Sequence, residues 1–133
     1  SNIISSFGFE IGDVEKTFQD CEHIFEDEFE TSIVQHCQME NHISYAYIDG
    51  DERIVIVSST QIPHITRRVV GQALGIPWGK VRIIKPYIGG GFGNKQDVVL
   101  EPLAAAMTLA VGGRPVKIEP RRIDDRLPNK ACF

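Results

Sequence analysis

Three short stretches carry residues suited to holding or orienting a bound group. The first is PYIGGGFGNKQD, residues 86–97, in which Gly89, Gly90, Gly91 and Gly93 are broken only by Phe92. A run this free of side chains costs conformational entropy on folding, so it marks a place where something comes close to the backbone. The second is SSTQIPH, residues 58–64, which sets the amide of Gln61 at the joint between an apolar run and an amphipathic segment. The third is QHCQMENH, residues 35–42, with His36, Cys37, Glu40 and His42 as metal-ligand types. Their spacing matches no established zinc pattern, and hydrogen-bonded structure is the simpler reading.

The glycine run is not a Walker A loop, because Asn94 precedes Lys95 and no Ser or Thr follows it. It is not the dinucleotide fingerprint either: counted from Gly89, the last required glycine falls on Asn94. Its place between a strand and a helix would still aim free N–H groups and a positive helix end at a polar ligand. The residues alone leave open a ligand loop or a tight turn. For Gln61 they leave open a ligand contact or a helix cap.

These stretches need elements to position them. DVEKTFQDCE reads as a short helix capped by Asp13, with Val14 and Phe18 on one face. IFEDEFETSIV, residues 24–34, alternates Glu26, Glu28 and Glu30 with Phe25, Phe29 and Ile33 and reads as a solvent-edge strand. ISYAYID and RIVIVSS read as strands joined through Asp49-Gly50-Asp51, a hairpin turn signal. IPHITRRVVGQALG reads as a helix with Pro63 in its first turn and Gly75 at its end. Ile62, Ile65, Val69, Ala73 and Leu74 would face inward. KVRIIKPYI is the next strand, QDVVLEPLAAAMTLAVGG a helix kinked or delayed by Pro102, and RPVKI a closing strand. The expected fold is mixed α/β, of the α+β type: antiparallel early strands, then a strand–helix–strand–helix–strand unit. If the strands before Gln61 and before the glycines are parallel neighbours, both features lie at the ligand-binding edge of the sheet.

With 133 residues the chain holds one ordinary core. Its net charge of -4 argues against nucleic acid or an anionic membrane as partner. No apolar run reaches membrane-spanning length. Cys21, Cys37 and Cys132 form no C-x-x-C pair, and a reducing, cytoplasmic setting is expected.

Thr60-Gln61, a helix ending Leu74-Gly75, a strand, GGGFGNK and an Ala-rich helix ending GGRPVK together resemble the molybdenum-binding subunit of the xanthine dehydrogenase and aldehyde oxidase family. SSTQIPH, RRVVGQALGIPW and GGGFGNKQDV resemble its bacterial xanthine dehydrogenase members almost word for word. The likeness runs from about residue 10 to Ile118. It implies a molybdenum–pterin cofactor near Gln61, Gly90, Gly91, Phe92 and Gly93, with no protein side chain ligating the metal. It implies Gln96 at the substrate; animal xanthine oxidoreductases carry there a Glu that touches the purine. A Gln both donates and accepts without charge; the bacterial relatives share it, so the resemblance implies a purine substrate, with aldehydes and other nitrogen heterocycles as alternatives. The family reaction hydroxylates a carbon beside nitrogen, or an aldehyde carbon, with oxygen from water. Electrons leave through iron–sulfur clusters and FAD on partner subunits.

The resemblance also shows what is missing. The family's general-base Glu lies in a Gly-Glu-Pro context, whereas Glu101-Pro102 and Glu119-Pro120 do not follow glycine. No catalytic residue is therefore assigned. After GGRPVKI the tail, EPRRIDDRLPNKACF, departs from the family pattern and is expected to be mobile, as in a truncated or frameshifted frame or a fragment. The expected organisation is an irregular lead-in over 1–12, a partial molybdopterin-binding domain over 13–118 and this tail over 119–133. Such a chain would neither retain the cofactor nor turn over by itself. It would need the remainder of its subunit, and exposed apolar surface would favour self-association. Two other classes fit the residues: a stand-alone phosphate or nucleotide module, and an assembly piece completed by a second chain.

Overall fold

The computed structural model describes residue 3 and residues 5–122. The chain divides into two compact units, with the boundary between Ser32 and Ile33. In the first, Asp13 caps α1 (Val14–Asp20), its carboxylate accepting the Lys16 N–H at 3.0 Å. Residues 24–33 form no regular element, which corrects the expected strand. Both of its faces are exposed, Phe25 and Phe29 as much as the glutamates. Alternation makes a strand only where a neighbour supplies the ladder.

The second unit is a four-stranded sheet with two helices. The elements are β1 (Ser44–Ile48), β2 (Ile54–Ser58), α2 (Pro63–Leu74), β3 (Val81–Ile84), α3 (Glu101–Ala110) and β4 (Val116–Ile118), with a 3₁₀ turn at Trp78–Lys80. Sheet order is β3-β2-β1-β4. β1 pairs antiparallel with β2 and β4, while β2 and β3 run parallel with Ile56 opposite Ile83. This is the mixed α+β sheet expected from the chain. Ala46, Ile54, Ile56 and Val81 on one face of the sheet form a single core with Val70 of α2 and Ala104 and Ala105 of α3, so both helices cover that face.

Two boundaries moved for identifiable reasons. α3 starts at Glu101 with Pro102 in its first turn, where the missing N–H costs nothing, so residues 97–100 stay outside it. α2 ends at Gly75 (φ +66°) as expected, but it buries Thr66, Val70 and Gly71. Ile65 is 44% exposed and Ala73 is also exposed, so the inward face is turned by about one residue from the apolar stripe. Trp78 causes this. Its ring lies against Gly71, where an added Cβ would meet Cδ1 at 2.6 Å. The part of the tail reading that covers residues 123–133, Cys132 included, lies outside the described residues.

Candidate functional site

The parallel pairing of β2 with β3 carries the segments after both strands to one edge of the sheet. Gln61 follows β2 by three residues, and the glycine run follows β3. They are bonded to each other. The Gln61 N–H donates to the Lys95 carbonyl at 2.8 Å, and Gln61 Oε1 accepts the Lys95 N–H at 3.2 Å. Gln61 therefore does not cap α2, whose N-cap residue is Ile62 with no side-chain cap.

The bare loop is explained by what lies against it. A Cβ on Gly91 would meet Gln61 Cδ at 2.5 Å and Oε1 at 2.6 Å, and one on Gly89 would meet Glu40 Cβ at 2.7 Å. Gly90 has φ +95° and Gly93 φ +87°, conformations that glycine adopts without cost. Phe92 has φ +51°, an uncommon state for an aromatic residue, and its ring is 71% exposed. Strain of this kind persists where surrounding contacts enforce it, and it clusters at ligand sites.

Hydrogen-bond accounting then isolates the free donors. The N–H groups of Gly89, Asn94, Lys95 and Gln96 all have acceptors: Glu40 Oε2, the Gly91 carbonyl, Gln61 Oε1 and the Gly93 carbonyl. Those of Gly90, Gly91, Phe92 and Gly93 have none among the described residues. Four successive donors at the edge of a sheet, with no Cβ on three of them, suit a polar ligand that approaches the backbone closely. The helix end plays no part, contrary to expectation, because seven residues separate Gly93 from α3. The start of α3 is closed by Glu101 instead. This residue is 5% exposed; its Oε1 accepts the Ser58 hydroxyl at 2.7 Å, and its Oε2 accepts the N–H groups of Val99 and Leu100. Gln96 follows the loop directly and is exposed.

A third loop, residues 38–42, underlies the other two. Glu40 N–H donates to the Gly89 carbonyl at 3.1 Å, and Glu40 Oε2 accepts both the Gly89 N–H at 3.0 Å and Lys95 Nζ at 2.7 Å. Burial pushes the Glu40 carboxyl upward, but the Lys95 hydrogen bond, the Gly89 N–H and the Lys95 charge outweigh it and hold the group below its ordinary range. His42 Nε2 donates to the Asn94 carbonyl at 3.0 Å, and buried Gln38 accepts from Asn94 Nδ2 at 3.3 Å. Of the four metal-ligand types, Glu40 and His42 thus serve as hydrogen-bonding partners of the glycine loop. Among the described residues, no group of three or more His, Cys, Asp and Glu side chains could hold a metal ion. Sequence reasoning missed Gln38 and Asn94 and gave no role to Lys95. The one available signal was Lys95 ending the glycine motif.

A separate cleft of about 370 Å3 runs along β3 and the start of α2, lined by Arg53, His64, Arg67, Arg82 and Lys85. Neither Gln61, the glycine loop nor Gln96 lines it. No helix among the described residues is long and apolar enough to cross a membrane.

Comparison with known proteins bears on the same residues. The family model of a molybdopterin cofactor-binding domain matches residues 1–130. The chain is 50% identical over 132 residues to the xanthine dehydrogenase molybdenum-binding subunit of Escherichia coli O157:H7, covering 99% of this chain and 17% of that protein. It is 36% identical over 118 residues to the nicotinate dehydrogenase large molybdopterin subunit of Eubacterium barkeri, covering 89% of this chain and 28% of that one. Among solved structures, quinoline 2-oxidoreductase from Pseudomonas putida 86 superposes with a TM-score of 0.72 at 25% identity, over 91% of this chain and 16% of that chain. The chain thus spans a small part of the length of the relatives it matches.

Proposed function

The chain belongs to the molybdopterin cofactor-binding domain family, and from that premise we propose that it forms one wall of the molybdenum–pterin site of a xanthine dehydrogenase-type hydroxylase acting on purines. The observation that carries this reading is the row of four free N–H groups at Gly90–Gly93 beside the Gln61 amide. The residues fit such a group. The loop offers donors to a phosphate- and carbonyl-rich cofactor, and Gln61 offers an uncharged amide that donates and accepts.

When bound, the cofactor supplies the redox chemistry that inserts water-derived oxygen into a ring carbon. The chain's own residues position and exclude. Gly90–Gly93 would hold the cofactor by backbone hydrogen bonds, each contributing about 0.5–1.5 kcal/mol net, so retention requires donors from further segments as well. Gln61 keeps its Oε1 on the Lys95 N–H, so its Nε2 hydrogens would be free to orient a polar group of the bound cofactor. Gln96 stands next to the loop, where its uncharged amide would orient a purine edge. The relatives at 50% and 36% identity are named for xanthine and nicotinate, which supports a nitrogen heterocycle as substrate. Of the carboxylates in Glu-Pro pairs, Glu101 is held inside the fold by three donors and is not placed as a general base. Catalysis therefore relies on residues outside this chain, as do electron transfer to iron–sulfur and FAD partners and cofactor retention. A stand-alone nucleotide module is not favoured, because the match to the cofactor-binding family spans nearly the whole chain.

The test is a chimera in which residues 10–118 replace the matching part of the Escherichia coli O157:H7 relative. The expected result is a molybdenum-loaded enzyme that reduces a dye with hypoxanthine and loses molybdenum on Gly91→Val. A folded chimera without molybdenum would overturn the assignment, and loading with activity on aldehydes alone would overturn the purine substrate.

A further inference from the structure

Lys95 is among the largest fully buried side chains in the chain, at 1% exposure, although its neighbours Phe92, Gly93 and Gln96 are exposed. A lysine stem is long enough to reach water from such a position, and burying its ammonium is costly unless it is paired. Its pairing links three loops. The Lys95 main chain bonds Gln61 in both directions, and Nζ reaches Glu40 Oε2 at 2.7 Å. Glu40 in turn bonds Gly89 in both directions. The loop is therefore tied at its entry, Gly89, and at its exit, Lys95, and one ion pair joins the two ties beneath it. Between them lie the four residues whose N–H groups have no acceptor among the described residues.

We propose that Glu40 and Lys95 are positioning residues: the ion pair between buried Lys95 and the half-buried Glu40 is a brace across the base of the glycine loop that holds the Gly90–Gly93 donors and the Gln61 amide in one fixed arrangement. The use of that arrangement for a cofactor rests on the function proposed above. An ion pair suits this role better than an apolar contact. A well-packed apolar pair can be equally stabilising, but it does not fix distances and directions as a hydrogen-bonded pair does.

That difference supplies the test. Amide hydrogen exchange is followed in the 133-residue chain at Lys95 and Gln96, whose acceptors, Gln61 Oε1 and the Gly93 carbonyl, are retained in both variants, with Ala46 and Ile56 in the sheet as internal reference. Lys95→Met leaves the half-buried Glu40 carboxylate without its partner and should lower both global stability and loop protection. Lys95→Met/Glu40→Leu replaces the pair by apolar groups. It should recover most of the global stability, yet its loop amides should still exchange about ten- to a hundredfold faster than wild type, the factor for one or two charge-assisted hydrogen bonds. Loop protection that returns together with global stability in the double variant would reduce the pair to ordinary packing and overturn the proposal. So would unchanged loop exchange in both variants. In the chimera, the double variant should fold and lose molybdenum; equal loading of wild type and double variant would also overturn the brace. A wild-type chimera without molybdenum would instead remove the cofactor reading, while the exchange experiment still decides whether the pair braces the loop.

Discussion

Replacing Gly91 by Ala tests the closest contact in the site. The new methyl would fall 2.5 Å from Gln61 Cδ, 2.6 Å from Oε1 and 3.0 Å from Nε2, all inside van der Waals contact. Gly91 is not among the residues at positive φ, so Ala brings no backbone strain and the effect is the collision alone. The atoms hit are the end of a flexible side chain, so the inexpensive relief is for the Gln61 amide to swing away. That breaks its bond with the Lys95 N–H at a cost of about 0.5–1.5 kcal/mol. Lower entropy of the unfolded chain offsets about 0.4–1 kcal/mol of this. The net loss should be roughly 0.5 kcal/mol, with a displaced Gln61. In a Gln61→Ala background nothing remains to collide, and Gly91→Ala should become neutral or stabilising by about 0.4–1 kcal/mol. The coupling of roughly 1 kcal/mol exceeds the usual additivity error of about 0.3–0.5 kcal/mol. Urea unfolding of the four proteins measures it. An equal effect of Gly91→Ala in both backgrounds would refute the reasoning that Gln61 is what requires a glycine.

Other consequences follow from the same contacts. Glu101→Ala strands two N–H groups at the start of α3, while the Ser58 hydroxyl keeps the Ile43 carbonyl as acceptor, and should cost roughly 2–3 kcal/mol, read as a fall in urea midpoint at unchanged slope. Phe92→Gly should stabilise the chain by about 1 kcal/mol, because it relieves a positive φ and gives up a largely exposed ring. Any loss of stability would show that the Phe92 ring packs more than its exposure indicates. Because the folded-state pKa of Glu40 is depressed, its contribution is complete above the ordinary value of about 4.3 and fades as pH falls below it. Acid titration of unfolding should show this loss, and Lys95→Met should flatten that part of the profile; an unchanged profile would contradict the pairing.

The parts of the molecule that rest on short-range pattern were readable in the chain. The αL stop at Gly75 and the delayed start of α3 at Pro102 each follow from one residue's conformational limits, and the hairpin forms where Asp49-Gly50-Asp51 marks it, with Glu52 rather than Gly50 at positive φ. The meeting of Gln61 with the glycine loop was legible only on condition that β2 and β3 are parallel, which the fold satisfies. What stayed hidden was long-range. Glu40 and Lys95 are 55 positions apart, and nothing in their local sequence shows that they pair. His42 looked like a ligand type because its acceptor, the Asn94 carbonyl, is set by tertiary structure alone. Residues 24–33 failed in the opposite direction: the alternation was real, but a strand also needs a neighbour.

The most direct test of the account is elemental analysis for molybdenum on the purified 133-residue chain, made in a host that produces the pterin cofactor. On the proposed reading the donors at Gly90–Gly93 would supply only part of the cofactor's contacts, so the chain should carry essentially no molybdenum and show no hypoxanthine-dependent dye reduction. Molybdenum near one atom per chain would contradict this, because the glycine loop and Gln61 would then suffice to hold the cofactor without the rest of the subunit.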